Sequence, residues 1–342
     1  MVSQTMPSGR IEQGFDAATR SAAFLRRAPY ACMRATGADA LDLLHRLSTN
    51  DLRRLRTGQA ARTILTNEKG RMIDLVTVAV LEDGLLLLVS RGNEHHFQRW
   101  IEKYTITEDI SLASLRKETS VACIVGPRAL ESAAALAGRA VPADGIAVVQ
   151  DGRRRLTVVA ASARWGWEVY LVSAGEANDG EADDGDHLLE DRCRDAGIAT
   201  ISRDEFECAR ISRARPAFGS EISESYTPHD AGLAEFISTT KGCYIGQEVL
   251  ARMVTYQKAR KSLIGFTSAL PLPATGGRAF LFKDDVEVGV LTSSSPRPVY
   301  GRSLGLGIVR TDLVSLGDTV AVGEPDADVT CRIVPLPIEL SS

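Results

Sequence analysis

Between positions 241 and 248 the chain reads Lys-Gly-Cys-Tyr-Ile-Gly-Gln-Glu, its densest collection of groups able to do chemistry. Two glycines bracket Cys243 and Tyr244. Glycine permits close backbone approach and positive φ, so the segment suits a tight loop presenting Cys243 ahead of a helix over 247–253. A thiol near Lys241 and a helix N-terminus has its thiolate favoured by the surrounding positive charge, the setting of a nucleophile or a metal ligand. Taken from composition alone, a single cysteine is more often a small buried hydrophobe. The other cysteines (Cys32, Cys123, Cys193, Cys208 and Cys331) form no CxxC pair. That excludes a dense disulfide framework or a local zinc ribbon and fits a reducing compartment. His45, His95, His96, His187 and His229 show no metal-ligand spacing.

The elements that must position this segment belong to a chain of 342 residues, 44% hydrophobic and 25% charged, long enough for two or three domains. Forty basic residues against 44 acidic give a net charge of −4, which argues against a nucleic-acid coat or a polybasic membrane anchor. No apolar run approaches the roughly 20 residues of a membrane-spanning helix. Residues 1–22 carry Arg10, Glu12 and Asp16 without an apolar core, so they do not read as a secretory signal; a flexible leader over 1–30 and a cytoplasmic location are expected.

Leu41, Leu44, Leu47 and Leu52 predict a helix over 37–55. Apolar runs at 61–65, 72–81 and 85–89, separated by polar turns at 66–70 and Asp83-Gly84, predict three antiparallel strands. A helix over 93–104 follows, then a strand at 120–125 ended by Gly126-Pro127, and a helix at 128–136. Next come a hairpin from 155–160 and 167–172 with its turn at 163–166, and helices at 187–197 and 202–213. Such mixing without strict βαβ alternation indicates an α+β fold. The acidic run 176–186 reads as a solvated loop. From 261 onward short strands between Gly, Pro and Ser clusters predict a small all-β barrel, and the domain boundary is expected near 260.

The run 241–248 closely resembles the signature of the YgfZ-type folate-binding proteins, relatives of the aminomethyltransferase (T-protein) of the glycine cleavage system. The resemblance extends to Gly37 through Asp51, Leu65 through Asp74, Val125-Gly126-Pro127, Arg210 through Glu221, Pro228 through Leu233 and Gly289 through Ser293. It implies an aminomethyltransferase-like ring of two α+β portions (31–260) around a folate cavity, followed by a C-terminal β-barrel domain (261–342). It also implies tetrahydrofolate or a derivative as cofactor. A pterin is held by carboxylates and its glutamate tail by cations, and the chain offers Glu221 and Glu248, Arg210, Arg215, Lys241 and Arg252, with Gln247, Tyr226 and Tyr244 beside them. Cys243 and Asp74 are the candidate catalytic groups.

Two departures bear on the reaction. T-proteins carry two adjacent aspartates where this chain has Asp74-Leu75, and a glutamate where it has Ser212. Glycine-cleavage activity is therefore not expected. The resemblance implies an accessory role in iron–sulfur cluster assembly or repair, serving enzymes such as those that modify tRNA, with assembly or client proteins as partners and no direct contact with nucleic acid or membrane. A folate-dependent one-carbon transferase, an aminomethyltransferase or demethylase, is the alternative. Taken without the resemblance, Asp74 is equally a strand-end turn residue, and Arg210 a partner for Asp204 or Glu207.

Overall fold

The computed structural model describes residues 8–151, 154–161, 168–174, 184–255, 261–273 and 279–340. The expected turn at 163–166, most of the acidic run and the basic pair Lys258 and Arg260 lie outside the described residues. The chain forms two compact units, one built from 20–201 and 235–247, the other from 8–19, 202–234 and the residues after 247. The expected single region over 31–260 is thus divided: residues 202–234 group with the barrel, while 235–247 group with residues 20–201.

The first element corrects the expectation of a flexible leader. Helix α1 (Ser8–Arg20) buries Ile11, Phe15 and Ala18, spaced i, i+4 and i+7 on one face. Gly14 makes close packing possible, since a Cβ there would lie 2.3 Å from the carboxyl carbon of Glu205.

The unit over 20–201 begins with β1 (Ala23–Leu25), β2 (Tyr30–Thr36), α2 (Ala40–Leu47), β3 (Ala60–Thr66), β4 (Met72–Leu81) and β5 (Gly84–Ser90). It continues through α3 (Glu94–Lys103), β6 (Ser111–Ser114), β7 (Thr119–Val125), α4 (Ala129–Ala137), β8 (Asp144–Asp151) and β9 (Arg154–Ala161). β10 (Glu168–Ala174), α5 (Asp184–Asp195) and β11 (Ala199–Thr200) complete it. One sheet has the order β3-β4-β5-β2-β6 and the other β11-β1-β7-β10-β9-β8. Leu43, Leu44, Phe97 and Ile101 of α2 and α3 pack on Val76, Val78 and Leu87 of the first sheet. Ala129, Ala133 and Leu189 of α4 and α5 pack on Ile124, Val158 and Leu171 of the second. The remaining faces meet, β3 lying against β8 and β9 and β2 against β7, which gives four layers. Across this seam Arg62 pairs with Glu168 at 2.5 Å, and Tyr170 donates to the same carboxylate at 2.7 Å.

The three-strand array, the strand before Gly126 and the hairpin occur where expected, whereas β2, β6 and β8 were not foreseen. The helix expected over 37–55 is shorter. Ser48 turns extended, and Thr49 N–H donates to Ile64 O at 2.9 Å while the Asn50 amide donates to Arg62 O at 2.8 Å, so β3 draws the chain out of the helix. Leu52 still completes the core, which is why its spacing imitated one more turn.

The other unit resumes with α6 (Arg203–Ser212), opened by a capping box between Ser202 and Glu205. After a single 3₁₀ turn (Ala234–Phe236) and α7 (Gln247–Thr255) come β12 (Lys261–Ser268), β13 (Ala279–Lys283), β14 (Val286–Ser294), β15 (Ser303–Arg310), β16 (Thr319–Val322) and β17 (Thr330–Val334). These six close into a barrel in the order β12-β15-β14-β13-β16-β17, filled by Phe266, Leu281, Val288, Leu291, Val309 and Ile333. The first barrel strand begins at Lys261. Among the described residues no helix is long and apolar enough to cross a membrane.

Candidate functional site

The signature loop is held from both ends. The Lys241 ammonium is buried and donates to three backbone carbonyls at the end of α2: His45 O at 2.5 Å, Ser48 O at 2.6 Å and Asn50 O at 2.8 Å. An ammonium has three N–H donors, so these carbonyls occupy all of them. Burial pushes the Lys241 amine down to about 8. Lys241, expected as a cation for a folate tail, thus has its three donors bonded within the fold. Beyond the cysteine, Ile245 N–H donates to Arg46 O at 3.2 Å, and the Thr66 hydroxyl donates to Ile245 O at 2.6 Å. Gly246 has φ +81° and lies on the β3–β4 turn, where a Cβ would come within 2.6 Å of Asn67 O.

Between these anchors Gly242 and Cys243 are exposed and Tyr244 is buried. Cys243 is the only exposed cysteine of the six. Burial pushes the thiols of Cys32, Cys193, Cys208 and Cys331 up to about 12. Among the described residues no group of three or more His, Cys, Asp or Glu side chains comes together to hold a metal ion.

Asp74 occupies a different environment. A bulge pairs Leu65 with Asp74 but Thr66 with Met72, leaving Ile73 as the extra residue of β4. From there Asp74 shares a face with Val76 and Val78, the face covered by α2 and α3, while Leu75 takes the opposite face. Asp74 has no exposed surface. One oxygen accepts from Leu75 N at 2.8 Å and Ser90 Oγ at 2.6 Å, the other from Ser90 N and Asn93 Nδ2, both at 3.0 Å. The carboxyl fastens the connection from β5 into α3. Burial raises it to about 6 despite these four donors. Asp74, the expected catalytic group, is thus a sealed and fully bonded carboxyl here.

In the barrel unit Arg210 and Glu221 are both buried. Arg210 donates to Glu207 at 2.6 Å, to Ser293 Oγ at 2.9 Å and to Arg215 O at 3.1 Å, and its guanidinium lies 3.7 Å from Glu221. Glu221 accepts from the hydroxyls of Thr292 and Ser293 and from Ala217 N. Arg210 and Glu221, expected as ligand contacts, are therefore bonded to the protein itself. Arg215 is half-buried, Tyr226 buried and Gln247 half-buried. Glu248 and Arg252 are exposed and paired at i,i+4 on α7. Sequence reasoning did not anticipate the partners Ser90, Asn93, Thr292 and the α2 carbonyls. Asn93 did carry a local signal, an Asn directly before a helix.

With the fold and these clusters in place, residues 8–241 match the family described as GCVT N-terminal domain, and residues 261–338 that described as Glycine cleavage T-protein C-terminal barrel domain. The chain belongs to the GCVT family. Its relatives include the aminomethyltransferase of Listeria monocytogenes serotype 4a, 27% identical over 310 residues covering 88% of this chain and 82% of that one. The aminomethyltransferase of Geobacillus kaustophilus is 28% identical with the same coverage. A putative chloroplastic transferase of Arabidopsis thaliana is 25% identical over 320 residues, covering 88% and 68%. The crystal structure of the glycine cleavage system aminomethyltransferase T from Bartonella henselae superposes with a TM-score of 0.77 over 96% of this chain and 89% of that one, at 17% identity. This GCVT chain thus has the aminomethyltransferase-like fold, with its α+β N-terminal portion and six-stranded C-terminal barrel, as the sequence led us to expect.

Proposed function

We propose that this GCVT-family chain is a tetrahydrofolate-binding accessory protein that supports assembly or repair of iron–sulfur clusters, and through them client enzymes such as those that modify tRNA. The observation carrying this reading is the exposure of Cys243, alone among six cysteines, on a loop anchored at both ends and bearing the YgfZ-like run. Clusters usually take about four ligands, so Cys243 would be one member of a site shared with a partner. Family membership supports folate, with Arg215, Tyr226, Tyr244, Gln247, Glu248 and Arg252 as the proposed contacts. Asp74, Arg210, Glu221 and Lys241 are each bonded within the protein itself.

In cells lacking the wild-type chain, Cys243→Ala is expected to lose iron–sulfur enzyme activity while folding normally; full retained activity would remove the thiol role. Calorimetric titration with tetrahydrofolate is expected to show binding, and none at about millimolar ligand would remove the folate role, because that limit leaves only weak binding.

A folate-dependent one-carbon transferase is the second reading, favoured by the names of the relatives. Against it, Leu75 stands where T-proteins have their second aspartate, on the sheet face opposite Asp74. Ser212, in place of the T-protein glutamate, is buried and donates to Ile338 O at 2.9 Å. Purified protein given tetrahydrofolate with methylated amine or sulfonium donors is expected to form no methylene- or methyl-folate; product formation would establish this second reading.

A further inference from the structure

We infer that Lys241 is the positioning residue of the signature loop: its ammonium closes the C-terminal end of α2 and fixes the backbone from which Cys243 projects. This rests on the functional reading only in taking Cys243 as the working group. The terminal carbonyls of a helix have no partners within it and carry the negative end of its dipole. At the end of α2, Ser48 is already extended, so carbonyls of His45, Ser48 and Asn50 converge on one point. A compact ammonium with three donors suits that point, whereas a planar guanidinium directs its donors along a fork.

The charge has no carboxylate among these three acceptors; it is held by backbone dipoles, so the tie fastens chain to chain. Lys241 Nζ also lies 5.0 Å from the centroid of the Tyr244 ring, the residue on the far side of the cysteine. With Ile245 bonded to Arg46 and Thr66, the backbone is pinned at 241 and again at 245, and the exposed Gly242 and Cys243 span the interval. Lys241 acts through this backbone and does not itself touch a substrate in the inference.

A nitroxide attached to Cys243, the one exposed thiol, reads the prediction. In the full-length protein its spectrum is expected to be restricted. Lys241→Met leaves the three carbonyls without their donor, and the label is expected to tumble severalfold faster while exchange of the Ile245 amide accelerates about tenfold. Amides of β12 and β15 are expected to keep their protection. Lys241→Arg, which keeps the charge but not the convergent geometry, is expected to give an intermediate label mobility, and it decides the matter should the Met variant not fold. An unchanged label in the folded variant, or loss of protection in Ile245 and the barrel together, would overturn the inference. The two readings fail separately. A mobile loop in Lys241→Met beside full cellular activity of Cys243→Ala leaves the positioning role and removes the function; the reverse result removes the positioning role alone.

Discussion

The Arg210–Glu221 cluster and the Lys241–Gly246 loop each bury a cation, and they use it in opposite ways. Arg210 faces carboxylates and a serine hydroxyl, and Glu221 is closed over by Thr292, Ser293 and Ala217, so Arg210 and Glu221 themselves are sealed from solvent. Lys241 donates only to neutral carbonyls, while its neighbours Gly242 and Cys243 stay exposed. Carboxylate partners neutralise a buried charge and make it part of a core. Helix-end dipoles stabilise it without a direct ion pair and leave the adjoining backbone free to display a side chain.

The contrast predicts that the sealed cluster is the costlier one to disturb. Glu221→Ala leaves Arg210 with one carboxylate fewer and the Ser293 hydroxyl without its acceptor, and is expected to lower unfolding free energy in urea by about 3–5 kcal/mol. A loss below about 1 kcal/mol, the level of an exposed ion pair, would mean that the cluster is not the rigid element described.

Asp74 belongs with the sealed type, and its signature is a pH dependence. Its folded carboxyl is raised from 3.8 to about 6 by burial, so between these values the folded state holds the proton more tightly than the unfolded chain. Its contribution is fully present below about pH 4 and is lost as pH rises through 6, about 2–3 kcal/mol in all. Urea midpoints from pH 4 to 7 should show this decline in the wild type relative to Asp74→Asn, which does not titrate there. Parallel curves would show that Asp74 ionises as in water.

Gly246→Ala tests the seating of the loop. With φ +81° and a Cβ 2.6 Å from Asn67 O, the substitution is expected to cost about 2 kcal/mol by thermal or urea unfolding. Cys243→Ala is the smallest effect: an exposed side chain, expected to change stability by less than about 0.5 kcal/mol even if cellular activity is lost. A larger loss of stability would move Cys243 from the displayed class to the packed one.

Much of the fold was legible because its signals are local. The strands at 60–66, 72–81 and 84–90 follow from apolar runs cut by Gly-containing turns, and the barrel from short strands at repeated turn signals. Helix α1 escaped because its buried stripe consists of three spaced apolar residues among charges, with Gly14 contributing a space and no side chain. The end of α2 escaped because Leu52 continues the periodicity after hydrogen bonds to β3 have already ended the helix.

The sequence by itself determined the GCVT relationship, the α+β region followed by a barrel, and the run around Cys243, since motif and periodicity are properties of neighbouring residues. Only the tertiary structure decided which charged residues are available. Lys241, Asp74, Arg210 and Glu221 look alike in the sequence as candidates for a ligand, yet Lys241 bonds to His45, 196 positions away, and the serine partners of the other three lie 16, 83 and 72 positions away. A side chain's commitment depends on which donors and acceptors folding brings within about 3 Å, and that information is not local.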